Sequence, residues 1–170
     1  MGGATALILD QVADIDAAVY TIIQSAFISA GQRCSCARRL IVVKSVANEN
    51  LIKKLIEVSS KIKIGSDDSC FIGPVVSNAA ANRAMAFEAQ LLLAGATPLL
   101  ALIRGDASKP FIQPGLIDVT GADGVVDEEC FGPLLQIQWV DDLEVAVEVA
   151  NNTRYGLSAG LLSDNASAWD

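Results

Sequence analysis

The sequence predicts an α/β fold, a layered domain in which a mostly parallel sheet is flanked by helices. Two observations favour this fold. Short apolar runs of strand length alternate along the chain with longer segments whose apolar residues recur at helical spacing. Hydrophobic residues make up 52% of the 170 residues and charged residues 19%, which is enough apolar material for a buried core and too little charge for intrinsic disorder.

The first elements follow from the apolar pattern. Residues 4–10 form an apolar run that ends in Asp10, which predicts a buried strand leading into a turn. A helix is expected from Asp14, a residue type that caps helices, up to Gly31. Apolar residues on both sides of this segment predict a helix that is buried nearly all round. Residues 40–43 are expected to form the second strand.

The alternation continues through the rest of the chain. Residues 48–63 place apolar side chains on one face and Lys and Glu on the other, which predicts a surface helix. A third helix over residues 78–94 is expected to end at Gly95, because glycine is the usual residue after a helix. A fourth begins at Asp141, with a glutamate three residues on, and runs to about Asn151. The remaining strands are predicted at residues 97–103, 116–120, 134–140 and 158–163.

Composition excludes several classes of function. The chain carries 20 Asp and Glu against 12 dispersed Lys and Arg, a net charge of −8, which argues against a nucleic-acid partner. Its longest apolar run, residues 91–103, is shorter than a membrane-spanning helix, which needs about 20 residues, so no membrane partner is expected. Histidine is absent, which excludes Ser-His and Cys-His pairs and His-ligated zinc. Four dispersed cysteines without disulfide or metal spacing predict a reducing, cytoplasmic setting and no metal site.

The segment GQRCSC, residues 31–36, lies where the first predicted helix gives way to a strand. A cysteine in such a turn can be accessible, and Arg33, Arg38 and Arg39 would supply the electropositive surroundings that favour a thiolate nucleophile at Cys34. From local physics alone the alternative stays open that Cys34 is a small buried hydrophobe. Metal binding is a weaker alternative, because this cysteine spacing is a poor zinc set.

Four motifs follow one another along nearly the whole chain. They are GQRC at residues 31–34, PFIQPGLIDVT at 110–120, ECFGP at 129–133 and NTRYGLSAG at 152–160. In this order they resemble the NAD(P)-dependent aldehyde dehydrogenases. Within that family, residues 24–40 and 127–136 resemble a subgroup that oxidises a succinylated glutamate semialdehyde in bacterial arginine catabolism.

The resemblance implies roles for five residues. The Cys34 thiolate would add to the aldehyde carbon, hydride would pass to NAD, and water would release the acid from the resulting thioester. Glu129 would bind the ribose next to the nicotinamide, and Phe131 would contact the nicotinamide region. Arg33 and Ser35, on either side of the nucleophile, would contact the substrate. Without the resemblance, Glu129 reads as a solvated carboxylate and Phe131 as core packing.

Three functional parts of the family are not found in this sequence. The water-activating glutamate opens an E-L-G-G segment in the family, whereas this chain starts Met-Gly-Gly. The family's oxyanion asparagine and its dinucleotide-binding domain are also expected outside this sequence, which has no G-x-G-x-x-G after a strand.

Residues 1–170 are therefore interpreted as the thiol-bearing catalytic domain, truncated at both ends and inactive alone. The parent is expected to be a cytoplasmic, homo-oligomeric enzyme. The alternative is a non-catalytic α/β binding module that retains the motifs. A cysteine hydrolase is disfavoured, because the chain has no histidine.

Overall fold

A six-stranded sheet organises the computed structural model, which describes residues 3–169. The strand order is β3-β4-β5-β2-β1-β6, and every neighbouring pair is parallel except β3 and β4. The predicted α/β class with a mostly parallel sheet is confirmed. The strands are β1 (Ala6–Leu9), β2 (Arg39–Val43), β3 (Thr97–Leu100), β4 (Gly115–Asp118), β5 (Leu134–Val140) and β6 (Ala159–Leu162).

Four α-helices connect these strands, and each begins at a side chain that accepts a backbone N–H of the first turn. The caps are Asp14, Ser45, Ser77 and Asp142, so the fourth helix starts one residue later than expected. Among residues 3–169 no helix is long and apolar enough to cross a membrane. The helices are α1 (Ile15–Phe27), α2 (Val46–Ser60), α3 (Asn78–Leu93) and α4 (Leu143–Asn151).

Helix α1 differs from its prediction in length and burial. It ends at Phe27, and residues 28–31 form a tight turn, because Ser29 and Ala30 adopt positive φ angles of 56° and 55° that an α-helix cannot continue through. Tyr20 is 65% exposed, so the expectation of burial nearly all round is wrong. The helix is instead amphipathic, and its apolar side packs on the sheet.

The two faces of the sheet carry cores of different size, as the alternation of side chains along a strand requires. Leu7 and Leu9 of β1 join the large cluster formed with α1, α2 and α3. Ala6 and Ile8 face the other way, where they pack in a small cluster with Ala146 of α4.

The strand at one edge is shorter than expected. β3 ends at Leu100, after a register shift against β4 between Pro98 and Leu100. Ile103, which was expected inside the strand, forms only an isolated bridge with Gln113.

Candidate active site

Three segments meet at the edge of the sheet where the parallel strands begin. Gly3 precedes β1, Cys34 precedes β2, and residues 129–133 precede β5. A side chain at Gly3 would overlap the Cys34 carbonyl oxygen, and one at Gly31 would overlap the Gly132 carbonyl oxygen. The backbones therefore touch directly, and glycine permits it. Below, residues 29–35 are called the nucleophile turn and residues 127–133 the acidic loop.

The nucleophile turn reverses the chain with left-handed backbone. Ser29, Ala30 and Gly31 have φ angles of 56°, 55° and 66°, and the Gln32 N–H donates to the Ser29 carbonyl at 3.1 Å. Only Gly31 adopts this conformation without a Cβ penalty. The turn brings Cys34 to the surface, so the alternative that Cys34 is a buried hydrophobe is wrong.

Gln32 fixes this turn to the segment before α3. Its Nε2 donates to the Ser29 carbonyl at 3.0 Å, and its Oε1 accepts the Val76 N–H at 2.7 Å. Sequence reasoning assigned Gln32 no role, because its partners are backbone atoms that leave no side-chain pattern. The motif glutamine thus braces the turn that carries the thiol.

The four thiols differ in accessibility. Cys34 is exposed, whereas Cys36 is 2% exposed and its Sγ lies 3.7 Å from the Ile28 carbonyl oxygen. Desolvation raises the pKa of Cys130 to about 11. Cys70 is half-buried, and its Sγ donates to Asp67 at 3.4 Å. Cys34 is therefore the thiol most open to a substrate.

The backbone at Cys34 also has a free donor. Within residues 3–169 the Cys34 N–H donates to no backbone or side-chain acceptor, while its carbonyl oxygen lies 3.5 Å from the Thr5 hydroxyl. The Thr5 hydroxyl in turn lies 3.0 Å from that of Ser158, before β6. An N–H beside an exposed thiol is the geometry that stabilises an oxyanion formed on the attacked carbon.

The three arginines near Cys34 do not form the free cationic surroundings that were expected. Arg39 donates to the carbonyls of Ala4, Val149 and Ala150 at 3.1, 3.0 and 2.9 Å, so it holds the end of α4. Arg38 is 2% exposed and also bonds to carbonyls. Only Arg33 is exposed, with its Nε donating to the Ser29 hydroxyl at 3.1 Å. Ser35 is exposed on the same turn.

Arg38 connects the nucleophile turn to the acidic loop. Its Nη1 donates to the carbonyls of Gly31 and, at 3.5 Å, Gly132, and its Nη2 donates to that of Arg33 at 2.9 Å. Its guanidinium carbon lies 5.3 Å from the centre of the Phe131 ring. Burial lowers the pKa of Arg38, although nearby acidic groups, Glu129 among them, oppose that effect.

The acidic loop borders a cavity of about 270 Å³ between itself and α3. Phe131 lines this cavity and is 44% exposed, so core packing does not describe it. Glu129 also lines it, and its Oε1 is buried without a partner in the described chain. The alternative that Glu129 is a solvated carboxylate is therefore wrong for its Oε1 atom. A carboxylate and an open aromatic ring that line the same cavity fit a group that carries hydroxyls and a flat ring.

The three acidic residues of this loop have separate environments. Asp127 accepts the Thr153 hydroxyl and the Arg154 N–H, both at 2.8 Å. Although desolvation acts to raise the pKa of Asp127, these hydrogen bonds lower it. Glu128 is exposed. Asp127 thus fastens the loop to the segment before β6, while Glu128 and Glu129 line the cavity.

Comparison with known proteins agrees with this arrangement. The model of the aldehyde dehydrogenase family matches residues 1–170. The chain belongs to the aldehyde dehydrogenase family. As an aldehyde dehydrogenase chain it spans about a third of the length of the curated relatives it matches, 34–36% of each. The family resemblance of the four motifs is confirmed.

Relatives and solved structures refine the assignment. N-succinylglutamate 5-semialdehyde dehydrogenase of Pseudomonas fluorescens (strain Pf0-1) is 53% identical over 168 residues, 97% of this chain and 34% of the relative. Methylmalonate-semialdehyde dehydrogenase (DddC) of Oceanimonas doudoroffii has a TM-score of 0.91 at 26% identity, over 99% of this chain and 36% of the other. A structure from Sinorhizobium meliloti 1021, described as the same kind of enzyme complexed with NAD, has a TM-score of 0.90 at 26% identity and the same coverage. The expected resemblance to the succinylglutamate semialdehyde subgroup is confirmed.

Proposed function

We propose that this chain is the nucleophile-bearing part of an NAD-dependent aldehyde dehydrogenase. Its aldehyde would be N-succinylglutamate 5-semialdehyde, the substrate named in the 53%-identical relative. The observation that carries the proposal is the exposed Cys34 on a left-handed turn whose backbone touches the loop of Glu129 and Phe131. This contact supports a nucleophile that acts beside the two residues suited to a cofactor.

The first chemical step belongs to Cys34. Its thiolate forms a bond to the aldehyde carbon, and the carbonyl π electrons move onto oxygen. The free Cys34 N–H donates to that oxyanion, where the loss of one donor typically costs about 10²–10³ in rate. The exposure of Cys34 lets the aldehyde approach.

The cavity beside α3 is assigned to the cofactor. The Glu129 carboxylate, which lines the cavity, would accept a ribose hydroxyl, and the exposed face of Phe131 would border the nicotinamide. NAD, when bound there, supplies the acceptor for the hydride. The chain's own contribution is to orient these two side chains, which share a loop with Gly132 and Asp127.

Substrate selection is assigned to Arg33 and Ser35, which are both exposed on the nucleophile turn. A charge-assisted hydrogen bond contributes about 1.5–3 kcal/mol, so Arg33 would favour an acidic aldehyde over a neutral one by about ten- to a hundredfold. In the full-length enzyme, Arg33→Ala is expected to lower kcat/KM for the acidic aldehyde far more than for an aliphatic one. Lys53→Ala, an exposed cation on α2, is the control. Equal losses for both aldehydes would refute the role of Arg33.

The 170-residue chain alone is proposed to be inactive, because the general base and the dinucleotide-binding domain are assigned to segments outside it. Cofactor positioning accounts for about 7–11 kcal/mol of a barrier, and a general base for about 10²–10⁴ in rate. The test is NADH absorbance with the semialdehyde and excess NAD, comparing this chain, the full-length protein and Cys34→Ala. Only the unsubstituted full-length protein is expected to turn over.

Two results would contradict these assignments. Turnover by the 170-residue chain that disappears in Cys34→Ala would show that the missing parts are not needed. A full-length protein without aldehyde oxidation would favour a non-catalytic module.

The four free thiols also support a cytoplasmic location, and family membership supports a homo-oligomeric parent.

A further inference from the structure

We propose that Arg38 is a positioning residue that locks the nucleophile turn to the acidic loop and so fixes the separation between Cys34 and the cofactor cavity. The inference rests on the proposed function, since it assigns Cys34 and that cavity to one reaction. Arg38 itself is buried, with only 2% of its surface exposed. It would act through the backbone it holds.

The hydrogen bonds of Arg38 reach both segments at once. On the nucleophile turn it donates to the carbonyls of Gly31 and Arg33, the latter belonging to the residue directly before Cys34. On the acidic loop it donates to the Gly132 carbonyl at 3.5 Å. One rigid guanidinium therefore sets the spacing of the two loops, although Arg38 and Gly132 are 94 residues apart in the chain.

A second set of interactions ties Arg38 to the side chains of the acidic loop. Its guanidinium lies over the Phe131 ring at 5.3 Å, a cation–π distance. Arg38 Nε and Glu129 Oε1 are both buried and lack a partner in the described chain, and their groups interact by charge. A displacement of Arg38 would therefore change the surroundings of Phe131 and Glu129, the two residues assigned to the cofactor.

The neighbouring arginine shows that this role is specific to position 38. Arg39 also donates to three carbonyls, but these belong to Ala4 and to the end of α4. Successive residues at the start of a strand point to opposite faces of the sheet, so only one of the two arginines reaches the nucleophile turn.

Burial of the charge also needs an explanation. A buried cation is costly unless it is paired or well hydrogen-bonded, and an apolar side chain in its place would leave the Gly31 and Arg33 carbonyls without this donor. The guanidinium fork supplies several donors in one plane, which a lysine ammonium cannot reproduce. The arrangement suits the control of loop geometry better than simple filling of the core.

The test uses the full-length protein with Arg38→Lys, Arg38→Met and the control Arg104→Lys. Arg104 also clamps a loop to a helix, since it donates to Asn78 and to the carbonyls of Ala107 and Lys109. Three quantities are measured: the alkylation rate of Cys34 by iodoacetamide, kcat for the aldehyde, and KM for NAD.

Arg38→Met is expected to lower kcat by about ten- to a hundredfold, as small misplacements of reacting groups do. It should also raise KM for NAD and change the alkylation rate of Cys34. Arg38→Lys should recover part of each loss, and Arg104→Lys should change thermal stability alone. An arginine with a purely structural role would not change the Cys34 alkylation rate and KM for NAD together.

The proposal is overturned if both Arg38 variants fold and keep all three quantities within twofold of the unsubstituted protein. It is also overturned if neither variant folds while Arg104→Lys does, because Arg38 would then serve the fold as a whole. If the unsubstituted protein oxidises no aldehyde, the proposed function fails. The Cys34 alkylation rates would still decide whether Arg38 fixes the nucleophile turn.

Discussion

Gly31→Ala is the substitution that tests the contact between the nucleophile turn and the acidic loop most directly. Gly31 has a φ of +66°, and an added Cβ would overlap the Gly132 carbonyl oxygen and lie 2.7 Å from its carbonyl carbon. A left-handed conformation costs a residue with a Cβ about 1–2 kcal/mol. Overpacking against backbone adds about 1–3 kcal/mol. The expected loss in the free energy of unfolding is therefore about 2–5 kcal/mol.

Two other glycines separate these contributions. Gly124 has a φ of +75° with no heavy atom within 4 Å of an added Cβ, so Gly124→Ala should show only the conformational cost, about 1–2 kcal/mol. Gly105 has neither a positive φ nor a neighbour within 4 Å, so Gly105→Ala should be neutral or stabilise by about 0.4–1 kcal/mol.

The measurement is urea unfolding of the three variants beside the unsubstituted chain, followed by tryptophan fluorescence. Cys34 alkylation is recorded in parallel, because a displaced turn should alter it. If Gly31→Ala costs no more than Gly124→Ala, the close approach to Gly132 is not present in solution and the reasoning is refuted.

Three further predictions concern single side chains. Brief iodoacetamide treatment of the folded chain at pH 8 should modify Cys34 before Cys130, whose pKa of about 11 leaves about one thiol in a thousand ionised; labelling of Cys130 first would contradict this. Burial raises the pKa of Glu88, although the Leu102 N–H donates to it at 2.8 Å and opposes that effect. The stability that Glu88 contributes is therefore present at low pH and lost as pH rises through the raised pKa. Because glutamine keeps the acceptor without a charge, Glu88→Gln should match the unsubstituted chain in urea unfolding at pH 4 and exceed its stability at pH 7; lower stability at pH 7 would be inconsistent with this. Asp142→Ala removes the hydrogen bond from the Val145 N–H at 2.9 Å that caps α4, and should cost about 1 kcal/mol without changing Cys34 alkylation.

The sequence carried enough information for the fold class and most elements. The strand over residues 134–140 and the helix caps at Asp14 and near Asp142 have direct signatures, namely an apolar run and a capping residue. The order of the strands in the sheet has no direct signature in the sequence, because a parallel sheet is assembled from contacts between segments far apart along the chain. The end of α1 was misplaced because Ser29 and Ala30 are ordinary residue types held in a left-handed turn by their surroundings.

The side chains of the candidate site could be predicted from the sequence, because motifs mark them. The contacts that its backbone makes could not. The motifs marked Cys34, Glu129 and Phe131 as candidates, whereas the arginines were expected to act as free charges. In the structure Arg38 and Arg39 bond to main-chain carbonyls, which every residue possesses and no motif marks. Such roles become visible only when the loops are placed together.

The position of β1 has a consequence for folding during synthesis. This first strand lies inside the sheet, between β2 and β6, and Ala6 pairs with Ala159, 153 residues later. At about 5–20 residues per second, the ribosome needs about 8–30 s to produce that partner. Throughout this interval one side of β1 is an unpaired strand edge, the feature most prone to join another chain. Until β6 emerges, that edge of β1 would be open to pairing with another chain.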